Sequence, residues 1–333
     1  MRKIPMQSSS TLFPVALLSA ERRGDLSEDV YRIKAANSPD PSVELALTRL
    51  GLADQASVRG VPVILLHGSF SNRRFWYSPK GIGLGPTLVR LGFDVWIAEM
   101  RGHGLSPRNQ AYDRNRVADY ARYDLPVIGA FVAEASGQVP HWIGHSLGGT
   151  TLAAALGGGY LRPELVASVA LFGSQVSRRR WPLRVPPINW GARWLLKRFS
   201  HISGSRLKRG PEDEPLGVGL EVLRWQGLFG RFGDAERDWW SGLGQVHVPV
   251  LAVAAVGDEQ DPAWACKQLF DQFGSDRKQF VVLGRSQGFS DDFDHVRMLV
   301  SVQAQAEVWP LIGDWLASPA PTAVAEQPLQ AMG

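Results

Sequence analysis

What most restricts the fold of this chain is a rhythm: short, largely apolar runs, most of them ending on glycine, alternate with stretches of helical periodicity. VPVILLHG (61–68), FDVWIAEM (93–100), VPHWIG (139–144), LVASVALFG (165–173), VPVLAVAAVG (248–257) and QFVVLG (279–284) are continuous runs rich in β-branched residues and leucine. A strand apolar along its whole length is buried on both faces, the condition of a parallel sheet covered by helices. Helices are predicted between these runs: over 84–91, stopped by Gly92, over about 119–135, and over 147–156. One opened by Pro262 and a last one after His295 complete the set. Two shorter runs, 30–35 and 43–49, alternate with period two and read as strands. This is βαβ repetition, hence an α/β fold with a mostly parallel open sheet and helices on both faces.

The rhythm breaks once. Residues 174–247 read as an inserted helical cap between a first core segment (1–173) and a second (248–316), with 317–333 a disordered tail. The interruption is also where the charge lies. Between Arg178 and Arg209 there are ten Lys or Arg and no acid, so this segment is +10 in a chain of net +4, leaving −6 elsewhere (4 − 10). Six of the twelve tryptophans fall in or beside it: Trp181, Trp190, Trp194, Trp225, Trp239 and Trp240. A helix face of Trp190, Trp194, Leu195, Leu196 and Phe199 flanked by Arg193, Lys197 and Arg198 would suit an anionic membrane surface. The plainer reading is a solvated, arginine-rich surface. Nucleic acid is not expected as a partner.

Composition closes off other classes. At 44% hydrophobic and 20% charged, 333 residues can bury a large core, and no apolar run reaches the ~18–20 residues that span a bilayer. Cys266 is the only cysteine, which excludes intramolecular disulfides and thiolate metal clusters. Near the N-terminus, Arg2 and Lys3 precede LFPVALL (12–18), but Pro14 interrupts it and QSSS dilutes it. It reads as a strand or packed arm rather than a cleaved signal, and the cytoplasm is the expected compartment.

Gly144-His145-Ser146-Leu147-Gly148 follows a buried strand with no spacer and opens a helix of small residues. G-x-S-x-G in that context is a nucleophile turn: the serine takes a strained backbone, and flanking glycines avoid clashes. A serine needs a base, and the base an orienting carboxylate, in the chain order Ser, acid, His. Of seven histidines only His295 follows the last predicted strand. Asp258, Glu259 and Asp261 stand at the end of the 248–257 strand. Asp258, directly after the strand where the sheet holds the backbone, is the expected acid, with Asp261 the fallback and otherwise a cap for the next helix. The oxyanion donors are expected to be the N–H groups of Leu147 and Ser69, with Phe70 as fallback for the second. His67 is expected to hold that loop.

LLHGSFSNRRFW, GFDVWIAEMRGHGLSP, HWIGHSLGG, VAAVGDEQDP and FDHVRMLV, in that order, resemble the α/β-hydrolase superfamily over roughly 43–315, cap excluded. The DVW strand running into RGHGLS, with DDFDH around the histidine, is most similar to acid-lipase, monoglyceride-lipase and bacterial esterase relatives. Polyester-synthase relatives carry cysteine in the turn and dehalogenase-like relatives aspartate, whereas this chain has Ser146. The resemblance implies a serine esterase or lipase-type hydrolase that forms an acyl-enzyme on Ser146, with no cofactor and no metal. Its partner would be a small, lipid-like ester with an apolar acyl chain. An acyltransferase using the same residues, or an idle fold that binds lipid or a protein partner, are the alternatives.

Overall fold

The computed structural model describes residues 9–35, 37–55, 59–177 and 181–318. Nine strands form one sheet: β1 (Val15–Arg23), β2 (Leu26–Ile33), β3 (Leu45–Leu52), β4 (Pro62–Leu66), β5 (Asp94–Glu99), β6 (His141–His145), β7 (Ser168–Phe172), β8 (Val250–Ala255) and β9 (Lys278–Leu283). Their spatial order is β1-β2-β3-β5-β4-β6-β7-β8-β9. The first three strands and β5 pair antiparallel, and β4 to β9 run parallel to one another. β4, β5, β7 and β8 are buried along their whole length, as continuous apolar runs require. The 12–18 stretch supplies β1, an edge strand whose outer end, Glu21-Arg22-Arg23, is charged and exposed; charge on an edge discourages pairing with a second chain.

Seven helices of seven or more residues accompany the sheet: α1 (Leu84–Arg90), α2 (Leu125–Ser136), α3 (Leu147–Gly157), α4 (Pro186–Leu196), α5 (Leu216–Gln226), α6 (Ala263–Asp271) and α7 (Val302–Ala317). Alternate strand residues feed two cores. Ile64 and Leu66 join α2, α3 and α6 on one face, while Val63 and Leu65 join α1 and α7 on the other.

Three expectations need correction. The helix expected over 119–135 runs unbroken over 117–136 but is irregular: a π-helical turn, Tyr120–Asp124, precedes α2. Pro126, in the first turn of α2, has no N–H to donate to the turn before it, which accounts for the π-helical winding there. Pro262 is the N-cap of α6 rather than a residue of its first turn. The cap helix α4 ends at Leu196, so Phe199 lies beyond it, and Leu196 turns inward against Gly219 of α5. The expected tail falls, from 319 onward, outside the described residues, as do Arg178, Arg179 and Arg180.

Because β5 lies on one side of β4 and β6 on the other, the chain departs in opposite directions from this pair. A crevice therefore opens at their carboxyl ends, where open α/β sheets bind ligands.

Candidate active site

Each strand end contributes one group to that crevice. Ser146 follows β6 at φ 53°, ψ −120°, one of three non-glycine residues with positive φ among those described. The conformation is held from both sides: Ser146 N–H donates to Phe172 O at 2.8 Å, and its carbonyl accepts from Ser174 Oγ at 3.1 Å. The glycines around it are sterically required. A Cβ on Gly144 would meet Gly149 Cα at 2.6 Å, and one on Gly148 would meet the carbonyl oxygens of Leu66 and His67 at 2.6 Å. Ser146 itself is 7% exposed.

His295 and Asp258 are brought together. His295 Nδ1 lies 2.7 Å from Asp258 Oδ2. The other oxygen, Oδ1, accepts the N–H groups of Gln260 (2.9 Å) and Asp261 (2.8 Å), so the carboxylate is fixed by the backbone that follows β8. Burial pulls the His295 pKa down, but the hydrogen bond and charge of Asp258, with Asp261 and Asp294 adding, outweigh it. The net shift is upward from 6.5. Asp261 is not the cap it was expected to be. Its Oδ1 accepts from Gln175 Nε2 at 2.9 Å, and its Oδ2 stands 3.8 Å from His295 Nδ1, as a secondary charge. Ser146 and His295 line the same cleft, yet no hydrogen bond joins the Ser146 hydroxyl to the imidazole among the described residues. Such bonds often tighten only once a ligand is present.

Ser69, after β4, and Leu147, at the first turn of α3, both border the cleft. Neither N–H has a hydrogen-bond partner among the described residues. The two together form a donor pair at a helix N-terminus, fit for a developing negative oxygen. Phe70 is unavailable for that purpose, because its N–H donates to Glu214 Oε1 at 2.7 Å. His67 does hold the loop: Nδ1 lies 2.9 Å from Gly68 O and Nε2 accepts Met100 N–H at 3.2 Å. Burial, with the charge of His103, pushes its pKa down to about 3, so it stays neutral.

Three residues of the site carried no sequence signal for their roles. His145 stacks on Phe75 (4.5 Å between centroids) and bonds through Nε2 to the carbonyl of His295 at 2.8 Å. Glu99, buried at the end of β5, accepts N–H groups from Arg73 (3.0 Å) and Leu105 (2.9 Å). Glu214 reaches in from the cap; in sequence it is one more acid in EDEP, and only the folded chain brings it to Phe70. Cys266 is buried, with its Sγ donating to Asp261 O at 3.3 Å, and burial raises its pKa, which leaves it a thiol. Among the described residues no group of three or more His, Cys, Asp or Glu is arranged to hold a metal, and no helix is long and apolar enough to cross a membrane.

Two cavities meet at Ser146. One, of about 380 Å³, is walled by Leu183, Val222, Leu223 and Trp225 of the cap. The other holds His295 and opens past Lys208 and Arg209, whose Nη1 donates to Gln260 Oε1 at 2.8 Å.

Residues 61–197 match a family model described as alpha/beta hydrolase fold. Among characterised proteins, 118 residues are 33% identical to lipase member N of Mus musculus, covering 32% of this chain and 30% of that one. One hundred residues are 34% identical to gastric triacylglycerol lipase of Homo sapiens, covering 27% and 25%. The chain thus spans under a third of these relatives' length. A monoglyceride lipase from Saccharomyces cerevisiae superposes with a TM-score of 0.61 at 12% identity, over 94% of this chain and 97% of the other. A thermophilic esterase from Thermogutta terrifontis gives 0.56 at 17%, over 86% and 97%.

Proposed function

We propose that this chain, an α/β-hydrolase by fold, is a serine hydrolase that cleaves carboxylic esters of apolar acyl chains. The observation that carries the reading is a backbone-fixed Asp258 bonded to His295 in the cleft that also exposes Ser146, a serine held in a strained turn. In this reading His295 Nε2 takes the Ser146 proton, and the alkoxide attacks the acyl carbon. The tetrahedral oxyanion accepts the N–H groups of Ser69 and Leu147. The imidazolium then protonates the leaving alcohol, and water repeats the sequence on the acyl-enzyme. Asp258 keeps Nδ1 protonated, so that Nε2 is the base. The cavity walled by Leu183, Val222 and Trp225 suits the acyl chain. The His295 cavity suits the leaving group, since the proton donor stands there.

The exposed face of the cap supports a lipid-like source of that ester. Trp181, Trp190, Trp194, Leu195, Phe199 and Phe229 stand out from it, Phe229 being 91% exposed, with Arg193, Lys197 and Arg198 among them. Peripheral contact with an anionic membrane is part of the reading.

A fluorophosphonate probe tests the core of it. The probe is expected to label the wild type and not Ser146→Ala, which should lose about 10⁴–10⁶ in turnover of p-nitrophenyl esters. A short-to-long acyl series should favour the longer chains. Absence of labelling would sink the proposal, and product appearing mainly on an added alcohol or thiol would make the enzyme an acyltransferase.

A further inference from the structure

The loop that carries Ser69 is anchored to the body of the protein at its two ends. His67 Nδ1 meets Gly68 O at one end, and Arg73 N–H donates to Glu99 at the other. Between these anchors Asn72 caps the 73–75 turn, accepting Arg74 N–H on Oδ1 (2.9 Å) and Phe75 N–H on its carbonyl (3.1 Å), and the remaining hydrogen bonds of residues 69–72 among the described residues run to the cap. Phe70 N–H donates to Glu214 Oε1 (2.7 Å), Phe70 O accepts Glu212 N–H (3.1 Å), and Asn72 Nδ2 donates to Glu212 Oε1 (2.6 Å). Phe70 sits at φ 59°, a conformation that costs a non-glycine residue about 1 kcal/mol or more unless its surroundings impose it. Both of its backbone polar groups are taken by residues 212–214, so the surroundings that impose it are the cap. Glu214 is 2% exposed; its Oε1 accepts Phe70 N–H and also lies 3.3 Å from His103 Nε2, while Oε2 is buried with no hydrogen-bond partner among the described residues.

We infer that Glu214 is a positioning residue: by fixing Phe70 it aims the neighbouring Ser69 N–H at the oxyanion, so the cap completes the donor pair that the body leaves half-built. The inference rests on the hydrolase reading for its catalytic consequence, but its structural half does not.

Two measurements separate the halves. In hydrogen exchange, the peptide spanning residues 68–72 should exchange at least tenfold faster in Glu214→Ala than in the wild type, and Glu214→Gln, which keeps a carbonyl acceptor, should restore most of the protection. Unchanged exchange in Glu214→Ala would overturn the positioning role whatever the protein catalyses. In kinetics, Glu214→Ala should lose about 10- to 100-fold in kcat with KM changed less than threefold. Affinity for a trifluoromethyl ketone, which mimics the tetrahedral state, should fall in step with kcat/KM. Glu214→Gln should stay within about fivefold of the wild type. If alanine does not fold, Glu214→Met, similar in shape and lacking an acceptor, takes its place against glutamine. Loss confined to KM, or an unaltered ketone affinity, would show that Glu214 supports the cap and not the oxyanion. A wild type that neither hydrolyses esters nor takes the phosphonate probe would instead count against the hydrolase reading.

Discussion

The two aspartates near His295 differ in one respect that chemistry can read. Asp258 gives one oxygen to the imidazole and the other to two backbone N–H groups, whereas Asp261 spends one oxygen on Gln175 and stands 3.8 Å off with the other. An amide at 258 cannot accept on both sides, so Asp258→Asn is expected to cut kcat by about 10⁴-fold and Asp261→Asn by less than tenfold. The opposite ranking would move the acid to Asp261. The pH profile gives a second reading of the same contact. In the proposed mechanism the base is neutral His295, and its carboxylate neighbours raise its pKa above 6.5. The acidic limb of kcat/KM should therefore have its midpoint above 6.5 and move down in Asp258→Asn; a wild-type midpoint below 6.5 would contradict the contact. The same shift acts oppositely on the fold: the imidazolium's stabilisation is present below 6.5 and lost as pH rises through the folded-state value, so the active form is the less stabilised one. Chain order leads to Ser146 and His295 and narrows the expected acid to Asp258, Glu259 or Asp261; the position directly after the strand favours Asp258, and that is the carboxylate the fold brings to His295. Chain order could not lead to the capless role of Asp261, which depends on Gln175, 86 residues away.

At the scale of elements, the strand-to-helix turn is the least forgiving part of the molecule. Gly148 has two backbone carbonyls 2.6 Å from where a Cβ would stand, and backbone cannot rotate away as a side chain can. Gly148→Ala is expected to destabilise by about 1–3 kcal/mol in urea titration, at the upper end of that span or beyond it if β4 cannot shift. A change under 0.5 kcal/mol would mean the turn relaxes. The buried parallel strands were legible because a strand covered on both faces has no polar positions to blur its limits, as β4 and β8 illustrate. β2 was less so: it begins at Leu26 rather than Val30, since Ser27 and Asp29 break the apolar pattern while their backbones still pair with β3. The π-helical turn before α2 has no periodic signature either; it follows from the placement of a single proline.

Over the whole molecule, the described basic residues Arg193, Lys197 and Arg198 and the exposed Trp181, Trp190 and Trp194 fall together on the cap. Arg198 lies over the Trp194 ring at 4.2 Å, so charge and aromatic surface would meet a bilayer together. Binding to vesicles with anionic lipid should exceed binding to neutral ones at low salt. It should weaken severalfold between 50 and 500 mM salt (roughly, as Debye screening shortens) and with Arg193, Lys197 and Arg198 changed to Gln. Equal retention on both vesicle types would remove the electrostatic part. Composition made this segment visible, but not how it is held: Asn189 Nδ2 donates to Leu183 O (3.0 Å) and Leu223 O (2.8 Å), which lashes α4 to α5, and no pattern in the sequence announces that. The solitary Cys266 has a use of its own. Buried behind Asp261 and held as a thiol, it will not compete for a maleimide. A single cysteine introduced on the exposed cap therefore becomes the sole labelling site on an otherwise untouched protein, and a spin label or fluorophore there reports directly on whether the cap moves.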